Sequence, residues 1–326
     1  MDVSVVVPFC NPGASIERCA RALFGQTLRE GVEFVFVDDG SSDGAAELID
    51  RALEKRPDRR ECTKVVRMDE NAGALAARFR GLDCASGRYI AFCDADDEPE
   101  PGLYEAMLSK AVESGADIVV SPMTVVWPDG EARVDAVYPD VDSFFEAAFH
   151  TSYFNAFWNK LFRREILASR GFSMPTERID MAEDLLVVSQ ALLRCRSIAF
   201  SRGPSYRYIM SDASACNKWN RRRVTDQVAV ANALAEALPE KYRGCVMHLR
   251  HRIQSNVLRF GGVAASEYAA LWPKERSFNS LASDGRLHFG TSSAIWLSSF
   301  SPSAAMCFFR TFALLRDSVR RRKRDV

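Results

Sequence analysis

Gly87-Arg88-Tyr89-Ile90-Ala91-Phe92-Cys93-Asp94-Ala95-Asp96-Asp97 decides the fold, because a short apolar run ends there in a cluster of carboxylates. A run of this length and type predicts a strand buried on both faces. The same pattern occurs upstream, where Phe34-Val35-Phe36-Val37 leads into Asp38-Asp39. Working outward, strands are predicted over Val3–Pro8, Val32–Val37, Lys64–Met68, Tyr89–Cys93 and Asp117–Val126. Helical stretches separate them: Ser15–Leu28, Asp43–Lys55, Ala72–Cys84 and Pro101–Glu113, with Asp43 and Pro101 suited to helix starts. Alternating strands and helices imply right-handed crossovers and a mainly parallel sheet. Ligands of such sheets bind beyond the carboxyl ends of the strands, which points to residues 9–13, 38–43, 69–73 and 94–99.

Both acidic clusters therefore fall on one sheet edge. Crowded carboxylates either rise in pKa or bind a cation, and hard oxygen donors suit Mg²⁺ or Mn²⁺. Capping of the following helices is the plainer role for each cluster alone. No G-x-x-x-x-G-K-[ST] occurs and no G-x-G-x-x-G follows the first strand, so P-loop and dinucleotide readings lose their main support. A phosphate would have to be held by a metal and by a cation such as Arg78.

The remaining composition narrows the class. The chain has 326 residues, 43 basic and 43 acidic, so the basic excess of a nucleic-acid binder is absent. Nine cysteines, with no C-x-x-C pair, read as reduced thiols. Met1-Asp2 leads straight into the first strand with no basic segment before it, and no apolar run reaches the roughly 18 residues of a membrane span. The expected location is the cytoplasm, at the inner face of the membrane if the tail discussed below binds there.

From about residue 142 the pattern lengthens. Helices are predicted over Val141–His150, Phe157–Leu167 and Glu183–Arg194, and short strands over Ile198–Ser201 and Ser205–Ile209. Arg221–Leu238, Lys241–Phe260 and Ser303–Arg322 follow as helices, so the expected division is 1–218 and a mostly helical 219–326.

Four segments in order between residues 5 and 97 carry a resemblance: Val5-Val6-Val7-Pro8-Phe9-Cys10-Asn11, Val37-Asp38-Asp39-Gly40-Ser41-Ser42-Asp43-Gly44, Asn71-Ala72-Gly73 with Ala77-Arg78 and Gly81-Leu82, and the quoted Gly87–Asp97. Together they resemble the family-two glycosyltransferases of the GT-A fold, enzymes that use nucleotide-sugar donors. Trp158–Glu165, Ala182–Leu185 and Tyr206-Arg207-Tyr208 resemble the second half of bacterial members that build surface polysaccharide. The resemblance implies that Pro8, Phe9, Asn11 and Asn71 line the nucleotide pocket, and that Asp39, with Asp38, bonds a uracil. It implies that Arg78 contacts the nucleotide and that Asp94 and Asp96 form the D-x-D motif, Asp94 facing ribose or metal and Asp96 ligating Mn²⁺ or Mg²⁺. Asp184, next to Glu183, takes the place of the general base.

The implied reaction is inverting transfer of a hexosyl or N-acetylhexosaminyl unit from a donor, expected to be a UDP-sugar, to a hydroxyl of a glycan or lipid-linked acceptor. A polyprenyl-phosphate glycosyltransferase and a non-catalytic nucleotide-sugar scaffold are the alternatives. Phe79 stands where many members have Asn, and Cys10 where Tyr or Phe is commoner. Trp158, Lys160 and Glu183 are candidates for contacts to the acceptor or diphosphate, with core packing and a solvated lysine as the plainer readings of the first two. His248 and His251 are three apart on a helix with no evident carboxylate partner, which favours a packed pair over a metal site. The stretch from Arg310 to Val326 carries a net charge of +5 behind an aromatic segment, a pattern able to lie on an anionic membrane.

Overall fold

Val5, Val6 and Val7 are wholly buried at the middle of the first strand, and the sheet is built around them. The computed structural model describes residues 1–150, 154–167, 172, 174, 177–210 and 219–309. They fall into two compact units, one drawn from Met1–Phe172 and Thr176–Ser214, the other from Ser173–Pro175 and Ala215–Val326.

The first unit begins β1 (Val3–Phe9), α1 (Ser15–Phe24), β2 (Val32–Asp38), α2 (Ala45–Glu54), β3 (Thr63–Arg67), α3 (Ala74–Cys84), β4 (Tyr89–Phe92) and α4 (Leu103–Ser114). It continues with β5 (Ile118–Val120), β6 (Met123–Trp127), β7 (Gly130–Val134), α5 (Val141–His150), β8 (Lys160–Arg163), α6 (Arg164–Leu167), α7 (Glu183–Arg194), β9 (Ile198–Phe200) and β10 (Tyr206–Ile209). The order in the main sheet is β3-β2-β1-β4-β8-β5-β9, and only β8 runs antiparallel to its neighbours. A smaller sheet has the order β10-β6-β7. Pairing of Phe9 with Asp38, and of Val6 with Phe92, aligns the carboxyl ends of β1, β2 and β4 on one edge. Helix α3 crosses behind them so closely that a Cβ on Gly81 would overlap the Val6 side chain.

Three elements differ from expectation. The helix predicted over Phe157–Leu167 is instead β8 followed by the single turn of α6. Its residues Leu161 and Phe162 are fully buried, and pairing with β4 and β5 outweighs their helical spacing. The strand predicted over Asp117–Val126 is two strands in two sheets, broken around Pro122, which has no N–H to donate to a ladder. Strand β3 is the sheet edge and largely exposed, not buried on both faces.

The second unit comprises α8 (Arg221–Ala237), α9 (Arg243–Phe260), α10 (Ala265–Ala270), α11 (Phe278–Ser283) and α12 (Phe289–Leu297), after which residues 302–309 are helical. Asn220 caps α8, its side-chain oxygen accepting from Arg223 N at 2.9 Å. His248 and His251 do have a carboxylate partner: Asp284 lies 3.0 Å from His248 Nδ1 and 2.8 Å from His251 Nδ1. Burial opposes the charge on Asp284, but the two imidazoles outweigh it and hold its pKa well below the usual range. Glu275 O occupies His251 Nε2 at 2.8 Å, so the trio is a buried clasp between α9 and the chain after α11. The predicted helix Ser303–Arg322 is described only to residue 309, and the basic tail lies outside the described residues.

Candidate active site

The carboxyl edge of the main sheet carries two acidic clusters with different surroundings. At the end of β2, the Asp38 carboxylate accepts from Ser41 N at 2.7 Å and pairs with Arg67 Nη1 at 3.0 Å. Asp39 accepts from Ala72 N at 2.7 Å and from Gly73 N at 2.9 Å, one bond to each oxygen. Gly73 holds φ at +95°, a value that suits glycine, and its N–H turns onto Asp39 there. Asn71 Nδ2 donates to Asp39 O at 3.1 Å and lies 3.0 Å from Cys10 Sγ. Asn11, at φ +48°, accepts from Ser42 N at 2.8 Å through its side chain. Pro8 and Phe9 at the end of β1 thus pair with the end of β2 that carries Asp38, and Asn11, Asp39 and Asn71 sit in the loops just beyond.

The second cluster is organised around a cation. Arg78, on α3, donates from Nη2 to Asp94 Oδ1 at 2.9 Å and from Nη1 to Glu183 Oε1 at 3.0 Å. The same Nη1 lies 3.6 Å from Asp184 Oδ1, and the guanidinium carbon sits 4.9 Å from the centre of the Phe157 ring. Burial works against the guanidinium charge, but Asp184, Asp94 and Glu183 outweigh it and push the Arg78 pKa up. Asp94, Glu183 and Asp184 stem from β4 and α7, 89 or more residues apart in the chain, and one side chain gathers them.

Asp184 is the most perturbed of these acids. Burial raises its pKa, Arg78 pulls it back, Glu183 and Asp94 raise it again, and the result is about 8. Its Oδ1 is buried and accepts no hydrogen bond among the described residues. Glu183 is also raised by burial, against the pull of Arg78. Ala182, just before this pair, holds φ at +66°, a conformation that costs a non-glycine residue about 1 kcal/mol.

The remaining acids of the β4 end divide. Asp97 is buried and consumed internally, accepting from Tyr206 Oη and from Ile209 N, each at 2.8 Å. Tyr206 Oη in turn accepts from Asp94 N at 3.0 Å, so a tyrosine of the small sheet fixes the backbone of the D-x-D segment. Asp96 is exposed at its side chain, yet the surrounding protein mass and the Asp94 charge raise its pKa. Asp94 Oδ2 and the Asp96 carboxylate remain as oxygen donors. Such a pair fits a divalent ion that keeps water and diphosphate in most of its shell, and among the described residues no closed cage of three or more ligands exists.

Two candidates take structural positions. Trp158 is buried and stacks on Tyr206 and Tyr208 at 4.6 and 5.2 Å, so it ties the two sheets together and is no open platform for a sugar. Lys160 is not a solvated lysine: it is fully buried and donates to Ala156 O at 2.6 Å and Asn159 Oδ1 at 2.7 Å. Burial lowers its pKa to about 7, partly offset by the Asp184 charge. Residues that sequence reading left without a role are Tyr206, Asp97 and Arg178, whose Nη1 donates to Asn71 O at 3.0 Å. The hydrogen-bond partners named for them lie 107 to 112 positions away, so no local pattern signals them.

The family model described as "Glycosyl transferase family 2" matches residues 4–171, just over half the chain. Among curated relatives, the putative glycosyltransferase EpsH of Bacillus subtilis is 28% identical over 245 residues, 73% of this chain and 69% of that protein. The succinoglycan biosynthesis protein ExoO of Rhizobium meliloti is 28% identical over 266 residues, 77% of this chain and 72% of its own length. The glycosyltransferase GlyA of Streptococcus pneumoniae is much longer, and its match at 27% identity over 261 residues spans 73% of this chain and 34% of that protein. Among solved structures, Staphylococcus aureus TarS 1-349 in complex with UDP-GlcNAc superposes with a TM-score of 0.62 at 17% identity, covering 91% of each chain. The mannosyltransferase PcManGT of Pyrobaculum calidifontis, in complex with GDP-Man and Mn²⁺, gives 0.56 at 18% identity, covering 91% of this chain and 85% of that one. At such identities the superpositions speak to the fold.

Proposed function

The chain belongs to glycosyl transferase family 2 and carries its GT-A fold, and from that premise we propose that it transfers a hexosyl or N-acetylhexosaminyl unit from a UDP-sugar to an acceptor hydroxyl, with inversion. The observation that carries this reading is the gathering of Asp94, Glu183 and Asp184 around Arg78 on the sheet edge where α/β folds bind ligands. A binding scaffold has no use for a buried carboxylate whose pKa stands near neutrality, whereas a general base needs one.

In this reading the nucleotide lies against the loops after β1 and β2, with Pro8, Phe9, Asn11, Asp38, Asp39 and Asn71 forming its pocket. Asp94 and Asp96 are the residues that would hold Mn²⁺ or Mg²⁺, which would supply positive charge to the leaving diphosphate. The acceptor hydroxyl approaches Asp184, whose carboxylate, held beside Arg78, takes its proton. The acceptor oxygen forms its bond to the anomeric carbon as the bond to the diphosphate breaks on the opposite face. Glu183, fixed by Arg78, holds the first turn of α7 so that Asp184 keeps its place. Assembly of a surface polysaccharide or glycolipid in a reducing cytoplasm is the setting we assign, supported by the relatives' roles and the cysteine usage.

Calorimetric titration of UDP, GDP and CDP with and without Mn²⁺ tests the donor site. UDP is expected to bind selectively, more tightly with metal, and more weakly in Asp96→Ala. Absence of binding by every nucleotide would overturn the assignment.

A further inference from the structure

In the second unit, a segment without charge presents aromatic side chains to solvent. Residues 287–309 contain no Asp, Glu, Lys or Arg, a run of 23 that holds α12 and the start of the next helix. The segment turns Ala294, Ile295, Ala305 and Met306 inward, yet Phe289 is 84% exposed and Phe300 73%. Trp296 and Leu297 are also exposed, and Trp296 lies edge-on to Phe300 with ring centres 5.1 Å apart. Phe300 beside a partly exposed tryptophan, with Phe289 and Leu297 exposed on the same short helix as that tryptophan, amounts to apolar surface that a soluble face rarely carries without a purpose.

Charge selects the occupant. The chain immediately following this segment has seven basic and two acidic residues, a net +5. An apolar aromatic face joined to a polybasic stretch matches an anionic bilayer, with rings at the headgroup level and cations on the phosphates. α12 has nine residues, and no helix among the described residues is long and apolar enough to cross a membrane, so the contact is one of lying on the surface.

We propose that Phe289, Trp296, Leu297 and Phe300 form a docking face for an anionic lipid surface, the basic sequence that follows them selecting anionic over neutral lipid. This inference stands apart from the glycosyltransferase reading, because it concerns residues outside the carboxyl edge of the sheet and its readout is not activity.

The test is co-sedimentation of the full chain with vesicles of phosphatidylcholine alone or of equal parts phosphatidylcholine and phosphatidylglycerol. The expected result is partitioning onto the anionic vesicles, reduced by roughly tenfold or more in Phe289→Ser/Phe300→Ser, since binding scales with buried apolar area. Both substitutions are at exposed positions, and an unchanged circular dichroism spectrum verifies the fold. Equal partitioning of variant and parent overturns the proposal, as does failure of the parent to bind anionic vesicles. Self-association that depends on Phe289 and Phe300, measured by sedimentation equilibrium without vesicle binding, overturns it in favour of a second copy of the chain.

Discussion

The ends of β2 and β4 look alike in sequence, apolar residues leading into adjacent aspartates, and the fold puts them to opposite uses. At β2 every carboxylate oxygen of Asp39, and one of Asp38, is bonded to a backbone N–H. Those acids build their loop. At β4 and the facing α7, Asp94, Asp96 and Asp184 crowd together with fewer donors than their oxygens can accept, and Arg78 offsets only part of the charge. An acid whose oxygens are met by N–H groups stabilises structure, and one held among like charges is available for chemistry.

Breaking the second cluster should produce the largest effect. Asp184→Asn is expected to lower turnover by about 10²–10⁴-fold while leaving UDP affinity within a few-fold, measured by UDP release and calorimetry. Turnover that survives this change would favour an acceptor already ionised, such as a lipid phosphate. Asp39→Asn probes the first cluster and should lower stability as well as weaken nucleotide binding. Replacing one accepting oxygen by an NH₂ opposite a backbone N–H costs about 1–3 kcal/mol in denaturant unfolding. Asp96→Ala sharpens the contrast, with stability unchanged or slightly raised and UDP affinity in Mn²⁺ reduced by roughly tenfold, on the scale of a lost charged contact.

The pH behaviour of Asp184 gives a further separation. Its pKa of about 8 in the folded chain stands above the ordinary carboxyl value of about 4 in the unfolded chain. The folded state therefore holds a proton that the unfolded state has lost, and this group's contribution to stability declines as pH rises from about 4 to about 8. Asp184→Asn, which cannot ionise, should gain stability relative to the parent across that window and no further above it, as read by urea unfolding at several pH values. Over the same window kcat/KM of the parent should climb as the base ionises. The smallest expected effect is that of Ala182→Gly. Release of the left-handed strain before Glu183 gains up to about 1 kcal/mol, less the entropy glycine adds to the unfolded chain.

Much of the first cluster was legible in the sequence, because Asp38, Asp39, Asn71 and Gly73 belong to short motifs whose partners lie within about 35 positions. Helices α5 and α7 were likewise readable to their ends, each having a clear apolar face over 10 or 12 residues. The second cluster was readable in its members and not in its wiring. Nothing near Arg78 announces that it bridges Asp94 to Glu183, 105 positions from Arg78 itself. β8 was misread for a related reason: four residues are too few for periodicity to decide, and the sheet decides. Asp284 escaped notice as the partner of two histidines because it lies 33 and 36 positions away on an irregular stretch.

Strand β8 also governs how the chain can be made. It sits antiparallel between β4 and β5, yet it leaves the ribosome about 40 residues after β5 and about 70 after β4. Until Arg163 has emerged, the nascent sheet has two inner strands with open polar edges, and an open apolar edge invites pairing with another chain. Fragments that stop before residue 160 should therefore aggregate, whereas fragments that include Arg164, which donates to Gly87 O at 3.0 Å, have β8 in place between β4 and β5, with β5 open only toward β9.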